Sequence, residues 1–173
     1  MIRDFYIENI RRQMSVTPTM EQDTAMRLFA EYMTCRDDHP VFILNGAAGT
    51  GKTTLASAIV RALMEMKQKI VLMAPTGRAA KVFSLYSGQS AYTIHRRIYR
   101  QRTGAVGLEG FSLNDNLHTD TLFIIDEASM IANQGYGGGG FGSGRLLDDL
   151  MKEVNGGRNC RVLLICDRAT LTP

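Results

Sequence analysis

Eight consecutive residues combine glycines with a lysine and a threonine at fixed positions. Residues 46–53 read GAAGTGKT, which fits the pattern G-x-x-x-x-G-K-[ST] known as the P-loop. Glycines let such a loop curl until successive backbone N–H groups point inward at phosphate oxygens. The Lys52 ammonium can reach the β- and γ-phosphates of a nucleotide, and the Thr53 hydroxyl can hold Mg²⁺. The candidate phosphate-binding residues are Gly46, Ala47, Ala48, Gly49, Thr50, Gly51, Lys52, Thr53 and the adjacent Thr54.

The segments on either side of this loop have the patterns that a P-loop needs. Residues 41–45 form a short apolar run that is typical of a buried strand, and residues 54–67 repeat apolar side chains at helical spacing. The helical rows are Leu55, Ile59 and Leu63, and then Ala56, Val60 and Met64. The order strand, glycine loop, amphipathic helix favours a true P-loop over a chance glycine turn. The helix N-terminus would add partial positive charge at the loop.

A pair of carboxylates follows another buried strand further along the chain. Residues 121–125 read TLFII, and Asp126 and Glu127 come directly after them. Downstream of a P-loop, Asp126 is expected to hold Mg²⁺, directly or through water, and Glu127 to take a proton from the attacking water. The alternative is a pair of solvated carboxylates with no role. The predicted catalytic residues are therefore Lys52, Asp126 and Glu127, with Thr53 and Asp126 at the metal.

Gln22 has two interpretations that do not exclude each other. Thr19 and Gln22 fit a capping box, in which the hydroxyl and the amide each satisfy a backbone N–H of the other residue. A helix should then run to about Cys35 and bury Ala25, Leu28, Phe29 and Tyr32. A glutamine upstream of a P-loop strand can also read the adenine edge, because an amide offers a donor and an acceptor together.

A basic and aromatic stretch lies between the P-loop helix and the acidic pair. From residue 78 to residue 102 there are six basic residues and no acidic ones, and four aromatic rings are interleaved with them. The residues are Arg78, Lys81, Arg96, Arg97, Arg100 and Arg102, with Phe83, Tyr86, Tyr92 and Tyr99. Cations and stacking rings suit a single-stranded nucleic acid. The alternative is a solvated helical face with its apolar side in the core. His95 by its type is more often a structural hydrogen-bonding residue than a catalyst.

The whole composition sets broad limits on the class of protein. The chain has 173 residues, 45% of them hydrophobic, a net charge of +3 and a pI near 8.9. These values predict one globular domain and permit a polyanionic partner. Cys35, Cys160 and Cys166 lack metal-ligand spacing, so we expect reduced thiols in a cytoplasmic protein. No apolar run is long enough to span a membrane.

The remaining patterns alternate between strands and helices, which predicts an α/β fold with a parallel sheet flanked by helices. We expect strands at 70–74 and 161–166, helices at 79–85 and 145–154, and loops at 104–119 and in the glycine-rich segment 134–144. The helix at 145–154 should bury Leu146, Leu147, Leu150 and Met151, and residues 1–14 form a short amphipathic lead-in. Ligands bind at the carboxyl ends of such strands, which here carry the P-loop, Thr76, Asp126 and Asp167.

In their order, these motifs resemble the first motor domain of superfamily-1 DNA helicases, in the RecD-like branch that moves 5′ to 3′. GAAGTGKT resembles helicase motif I, APTGRAAK (74–81) motif Ia, TIHR (93–96) the segment beyond it and DEAS (126–129) motif II. The resemblance implies a RecA-like P-loop NTPase fold of at least four strands, with ATP and Mg²⁺ as cofactors. It places the fourth strand between the P-loop strand and the DEAS strand, and Gln22 at the adenine.

The resemblance also implies further site residues and partners. Asp167 would lie beside the γ-phosphate, and the partner would be single-stranded DNA. The DNA contacts implied are Thr76, Gly77, Arg78, His95, Arg96 and Arg97. Residues 1–15 would be a lead-in and 16–173 a RecA-like ATPase domain. The second motor domain of a monomeric motor would then lie in a longer chain, and this fragment alone would turn ATP over poorly.

Two residues depart from the family pattern G-D-x-x-Q-L-x-P after the fourth strand. Cys166 stands at the glycine and Thr170 at the glutamine that senses the γ-phosphate. Threonine lacks the amide, so the link from nucleotide to DNA is altered here. The alternative functions are a P-loop ATPase in DNA processing or mobilisation that does not unwind, and a nucleotide-binding module without turnover.

Overall fold

Helices and strands alternate along the chain, as the periodicity predicted. The computed structural model describes residues 1–47, 49, 51–102, 110–113, 116–131 and 145–167, and for 100–102 and 110–112 it describes the backbone alone. In chain order the elements are α1 (Ile2–Gln13), α2 (Met20–Thr34), β1 (Val41–Gly46), α3 (Lys52–Glu65), β2 (Lys69–Ala74), α4 (Gly77–Ser87), β3 (Ala91–Thr93), α5 (Ile94–Ile98), β4 (Tyr99–Arg102), β5 (Gly110–Leu113), β6 (Thr121–Ile125), a 3₁₀ turn (Ala128–Met130), α6 (Leu146–Asn155) and β7 (Arg161–Asp167).

A five-stranded parallel sheet with the order β1-β7-β6-β2-β3 holds the described elements together. The last strand along the chain, β7, lies between the P-loop strand β1 and the strand β6 that precedes Asp126, as the resemblance implied. The register pairs Gly46 with Asp167 and Met73 with Ile125. The carboxyl ends of the strands therefore meet at one edge, and the expected α/β fold of the P-loop, RecA-like type is confirmed.

Both faces of the sheet centre are buried. Along β6, Leu122 and Ile124 join a cluster with α1, α2, α3 and α4, while Phe123 and Ile125 join a cluster with α5 and α6. All five residues of β6 are buried, which explains its continuous apolar run. Among the described helices, none has the length and apolar character needed to span a lipid bilayer.

The strand β1 is less buried than its sequence predicted. Val41 is 43% exposed and Ile43 58% exposed, whereas Leu44 is 9% exposed. The reason is position: β1 is the edge strand of the described sheet, so one of its faces is uncovered while the other packs on α2 and α3. Leu28 on α2 is likewise 50% exposed, although its spacing predicted a core position. Met26 on the same helix is fully buried instead.

Several short elements had no clear signal in the sequence. The expected loop at 104–119 contains β5, which pairs antiparallel with β4 and sets Tyr99 opposite Leu113. The lead-in at 1–14 contains the helix α1, and its Ile10 is fully buried against the α2–α3 side of the core. The glycine-rich segment 134–144 lies outside the described residues.

The C-terminal end of α2 is fastened to β7 by polar groups. The Tyr32 hydroxyl donates to the Val162 carbonyl at 2.6 Å, and the Arg161 guanidinium donates to the Cys35 carbonyl at 2.6 Å. Burial raises the pKa of Tyr32 well above its usual value, so this hydroxyl stays a donor. These bonds fix the helix that carries Gln22 relative to the sheet that carries the P-loop.

The N-terminal end of α2 has the predicted capping box. The Thr19 hydroxyl accepts from the Gln22 N–H at 3.1 Å, and the Gln22 side-chain oxygen accepts from the Thr19 N–H at 3.0 Å.

We predict that Thr19→Ala lowers the free energy of unfolding by about 1 kcal/mol, measured by urea denaturation. Thr24→Ala is the matched control, because its hydroxyl bonds only within the exposed face of the same helix. An equal loss in both variants would contradict the capping role.

Candidate active site

The loop after β1 has the backbone conformation that a phosphate-binding loop needs. Gly49 and Gly51 have φ values of +82° and +80°, in the left-handed region that favours glycine. Gly51 is the N-terminal cap of α3, and Lys52 is the first residue of that helix. The free N–H groups of the first turn and the helix dipole therefore face the loop. Ala48 and Thr50 lie outside the described residues.

The Lys52 ammonium connects the loop to two neighbouring strands. It donates to the Gly46 carbonyl at 3.3 Å and to the Cys166 carbonyl at 3.1 Å, and it forms an ion pair with the Asp167 carboxylate. Its side chain is only 11% exposed, whereas that of Asp167 is 46% exposed. The cation is thus held where β1 and β7 end, beside an anion that reaches solvent.

Gln22 does more than cap its own helix. Besides the capping box, its Nε2 donates to the Gly51 carbonyl at 3.0 Å, and the residue is only 7% exposed. Gln22 therefore joins α2 to the P-loop. Two clefts meet there. Gln22 and Gly51 line both clefts. The first has a volume of about 380 Å³ and is also lined by Leu44, Ala47 and Lys52. The second has a volume of about 640 Å³ and is also lined by Val16, Gly49 and Thr54.

The acidic pair follows β6 in a constrained conformation. Asp126 is 8% exposed, and its N–H donates to the Met73 carbonyl at 3.0 Å. Its Oδ1 accepts from the Glu127 N–H at 2.8 Å and its Oδ2 from the Tyr86 hydroxyl at 2.5 Å. Glu127 has a φ of +52°, a conformation that non-glycine residues keep only where the surroundings enforce it.

Tyr86 belongs to the candidate site, although the sequence indicated only base stacking or core packing for its ring. Burial and the hydrogen bond to Asp126 raise its pKa far above the usual value, so its hydroxyl remains a donor. Helical spacing could have indicated this position, because Ala79, Phe83 and Tyr86 follow the i, i+4, i+7 pattern of an inward face.

Two of the four interleaved rings are buried, which corrects the stacking hypothesis for those two. Phe83 is fully buried, and Tyr99 is 6% exposed with its hydroxyl donating to Asp149 at 2.6 Å. Tyr92 is half-buried, like Tyr86. The guanidinium groups of Arg96 and Arg97 lie over its ring at 5.2 and 4.6 Å from the centroid.

The oxygen donors at this edge of the sheet suit Mg²⁺ held jointly with a nucleotide. Thr53 is exposed in the first turn of α3, and Asp126 supplies a fixed carboxylate at the end of β6. Within the described residues no group of three or more His, Cys, Asp or Glu side chains could hold a metal ion. Mg²⁺ commonly takes one or two carboxylates and completes its shell with phosphates and water, which agrees with this donor set.

The predicted nucleic-acid residues lie at the same edge of the sheet. The Thr76 hydroxyl caps α4 by accepting from the Ala79 N–H at 3.1 Å, and a cleft of about 200 Å³ lies between Thr76, Arg78 and the acidic pair. The β2–β3 register pairs Ala74 with Thr93, which places α5 next to this segment. Of the remaining predicted residues, Gly77 begins α4, and His95, Arg96 and Arg97 lie on α5.

Comparison with known proteins agrees with this geometry. A family model described as an AAA domain matches residues 19–172. The chain belongs to this AAA domain family. Over 139 residues, 78% of this chain, the domain is 31% identical to the ATP-dependent RecD2 DNA helicase of Deinococcus radiodurans. Over 53 residues, 30% of the chain, it is 51% identical to the ATP-dependent DNA helicase dda of Enterobacteria phage T4.

A third relative is an uncharacterized protein of Methanocaldococcus jannaschii, 31% identical over 137 residues, 72% of this chain. The AAA domain spans only 16%, 12% and 12% of the lengths of the three relatives. These matches confirm the resemblance to a motor domain of the RecD-like superfamily-1 helicases that the motifs indicated.

One family departure in the AAA domain has a structural explanation. Cys166 contacts Lys52 through its backbone carbonyl, which any residue type can supply. Its thiol is half-buried, and burial raises the pKa of that thiol. Replacing glycine by cysteine thus keeps the lysine contact. Thr170 lies outside the described residues.

We predict that the AAA domain tolerates alanine at Gly51 less well than at two other glycines. A Cβ at Gly51 would lie 2.4 Å from the Gln22 Nε2, whereas Gly49 and Gly88 share its positive φ with nothing within 4 Å. Gly49→Ala and Gly88→Ala should each lower the free energy of unfolding by about 1 kcal/mol. Gly51→Ala should cost roughly 1 kcal/mol more, because the buried amide loses its bond to the loop.

Urea denaturation of the three variants measures this difference directly. Gly88 caps α4 far along the chain from the P-loop and supplies the matched backbone strain. Equal losses in all three variants would show that Gln22 does not restrain the P-loop.

Proposed function

We propose that this AAA domain binds and hydrolyses ATP as the first motor domain of a 5′-to-3′ DNA helicase. The observation that carries the proposal is the position of Lys52. A nearly buried ammonium lies where the glycine loop, β1 and β7 meet, and the chain also brings the fixed carboxylate of Asp126 to the same sheet edge. That arrangement suits the phosphates of a nucleoside triphosphate.

The proposal assigns a role to each group around the loop. Phosphate oxygens would replace Asp167 as the partners of the Lys52 ammonium, and the N–H groups at the start of α3 would donate to them. Gln22 would contact the adenine while keeping the loop in place. Thr53 and Asp126 would hold Mg²⁺, which neutralises the charge on the phosphates when bound. Glu127 would accept the proton of the attacking water.

The DNA would bind at the neighbouring strand ends. Thr76, Gly77 and Arg78 at the start of α4 would contact the sugar-phosphate backbone, and His95, Arg96 and Arg97 on α5 would extend that surface. The guanidinium groups of Arg96 and Arg97 are exposed beside Tyr92. Cations next to an aromatic ring are a common way to hold a single strand.

The complete motor would need a second domain. The relatives whose names describe ATP-dependent DNA helicases are far longer than this chain. A second motor domain of the same full-length protein would supply an arginine finger and the other half of the DNA grip. We propose a monomeric motor in which the two domains close and open around ATP.

Nucleotide binding should depend on the Lys52 ammonium. Lys52→Ala should weaken ATP binding by roughly 10- to 100-fold, since a charge-assisted hydrogen bond contributes about 1.5–3 kcal/mol. The measurement is fluorescence titration with a labelled ATP analogue. Lys69→Ala is the control, because Lys69 is exposed at the opposite, amino end of β2. Unchanged affinity in Lys52→Ala would refute the P-loop assignment.

Turnover by the full-length protein separates the proposed motor from other P-loop proteins. ATP hydrolysis should rise strongly when single-stranded DNA is added, with Lys52→Ala as the blank. A rate that ignores DNA would indicate a P-loop ATPase that does not translocate. Tight ATP binding without turnover would indicate a nucleotide-binding module.

The next prediction concerns the basic surface on α5. Arg96→Ala with Arg97→Ala should weaken binding of an oligo-dT strand, and the slope of log affinity against log salt should fall by about 1.4 in magnitude for two lost phosphate contacts. Fluorescence anisotropy at several salt concentrations gives this slope. The control is Arg3→Ala with Arg27→Ala, which removes the same charge from α1 and α2. Equal losses of strand affinity in both double variants would show that only the total charge matters, and would contradict a DNA contact at Arg96 and Arg97.

A further inference from the structure

The Asp126 carboxylate is held by a residue from a distant part of the chain. Its Oδ2 accepts a 2.5 Å hydrogen bond from the hydroxyl of Tyr86, which lies 40 positions earlier on α4. The other oxygen, Oδ1, accepts from the Glu127 N–H at 2.8 Å. Each carboxylate oxygen has two lone pairs, so both keep capacity for a metal ion or its water. The two donors together fix the orientation of the carboxylate plane.

Tyr86 is itself fixed from two sides. Its ring lies 5.2 Å from that of Phe83 at an interplanar angle of 33°, and Phe83 is fully buried. Its backbone carbonyl accepts from the Ser57 hydroxyl at 2.9 Å. Ser57 is a buried residue of α3, the helix that begins with Lys52. The hydroxyl that reaches Asp126 therefore belongs to a side chain whose ring and backbone are both restrained.

We propose that Tyr86 is a positioning residue for Mg²⁺, which holds the Asp126 carboxylate ready for the metal–nucleotide complex. This inference rests on the proposed function. Partners that orient metal-binding side chains typically affect metal affinity by 10- to 100-fold when removed. The Tyr86 hydroxyl bonds Asp126, so Tyr86 would act on the metal through that carboxylate.

The variant Tyr86→Phe removes one oxygen and keeps the ring. In the 173-residue chain, the affinity for a labelled ATP analogue is measured in EDTA and across a Mg²⁺ titration. We expect the affinity for the analogue in EDTA to be unchanged. The Mg²⁺ concentration that gives half of the full Mg²⁺-dependent increase in affinity should rise about tenfold. A thermal unfolding curve for each variant verifies that it is folded.

A matched control exists within the same domain. Tyr99 also has a buried ring whose hydroxyl donates to a buried carboxylate, that of Asp149, at 2.6 Å. Tyr99→Phe thus makes the same chemical change on the α6 side of the sheet. It should leave the Mg²⁺ titration unchanged, whatever its effect on stability.

A double-variant cycle tests whether Tyr86 acts through Asp126. In an Asp126→Asn background, the addition of Tyr86→Phe should cause less than a twofold further change in the Mg²⁺ titration, because its partner is already altered. A general loosening of α4 would instead give the same change in both backgrounds.

The outcomes distinguish this inference from the function on which it rests. Wild-type chain that binds no nucleotide would overturn both. Wild-type binding with normal Mg²⁺ enhancement, matched by Tyr86→Phe, would overturn the role of Tyr86 and leave the proposed function standing. A shift that Tyr99→Phe reproduces, or that persists in Asp126→Asn, would also overturn it.

Discussion

The parallel pairing of β7 on both β1 and β6 is the constraint on which the site depends. The chain reaches β7 only after more than a hundred residues beyond the P-loop, and yet that strand sets Asp167 opposite Gly46. The same strand pairs with β6 on its other side, which fixes how far Asp126 lies from the loop. The backbone hydrogen bonds between parallel strands are evenly spaced, so the pairing fixes the register. The sheet therefore places the side chains at the ends of β1, β6 and β7, and the P-loop has only to supply the turn between β1 and α3.

The polar interactions at this edge follow from that placement. Lys52 is nearly buried and would be unfavourable without partners, and the carbonyl ends of β1 and β7 supply two of them. Asp167 supplies the opposite charge but is nearly half exposed, so an incoming anion can reach the pair from solvent. A nearly buried cation beside a replaceable anion is a suitable resting state for a phosphate site. Gln22 adds rigidity from α2, since one amide both caps its helix and bonds the loop.

The sequence predicted the longer helices and the apolar strands well and the short elements of segment 91–113 poorly. The continuous apolar run of β6, the fixed spacing of Thr19 and Gln22 in the capping box, and the helical rows after the P-loop are each a recognisable local pattern. The segment 91–113 contains strands and a helix of three to five residues, too short for any period to show. Val41 and Ile43 looked like core residues because composition cannot tell an edge strand from a central one. Phe83 and Tyr86 were counted as rings among cations, although their helical register already pointed inward.

The helix α4 belongs to both halves of the candidate site. It begins at Thr76 and Gly77, where the proposed DNA contacts start, and Tyr86 near its other end bonds Asp126. Its 11 residues span about 16 Å as one uninterrupted helix. A cleft between its first turns and Glu127 lies alongside. Because a helix of this length moves as a unit, any rotation imposed at Thr76 by a bound strand would move the Tyr86 hydroxyl relative to Asp126. In the proposed motor, α4 would be a short and continuous mechanical link between the proposed DNA contacts and the Asp126 carboxylate.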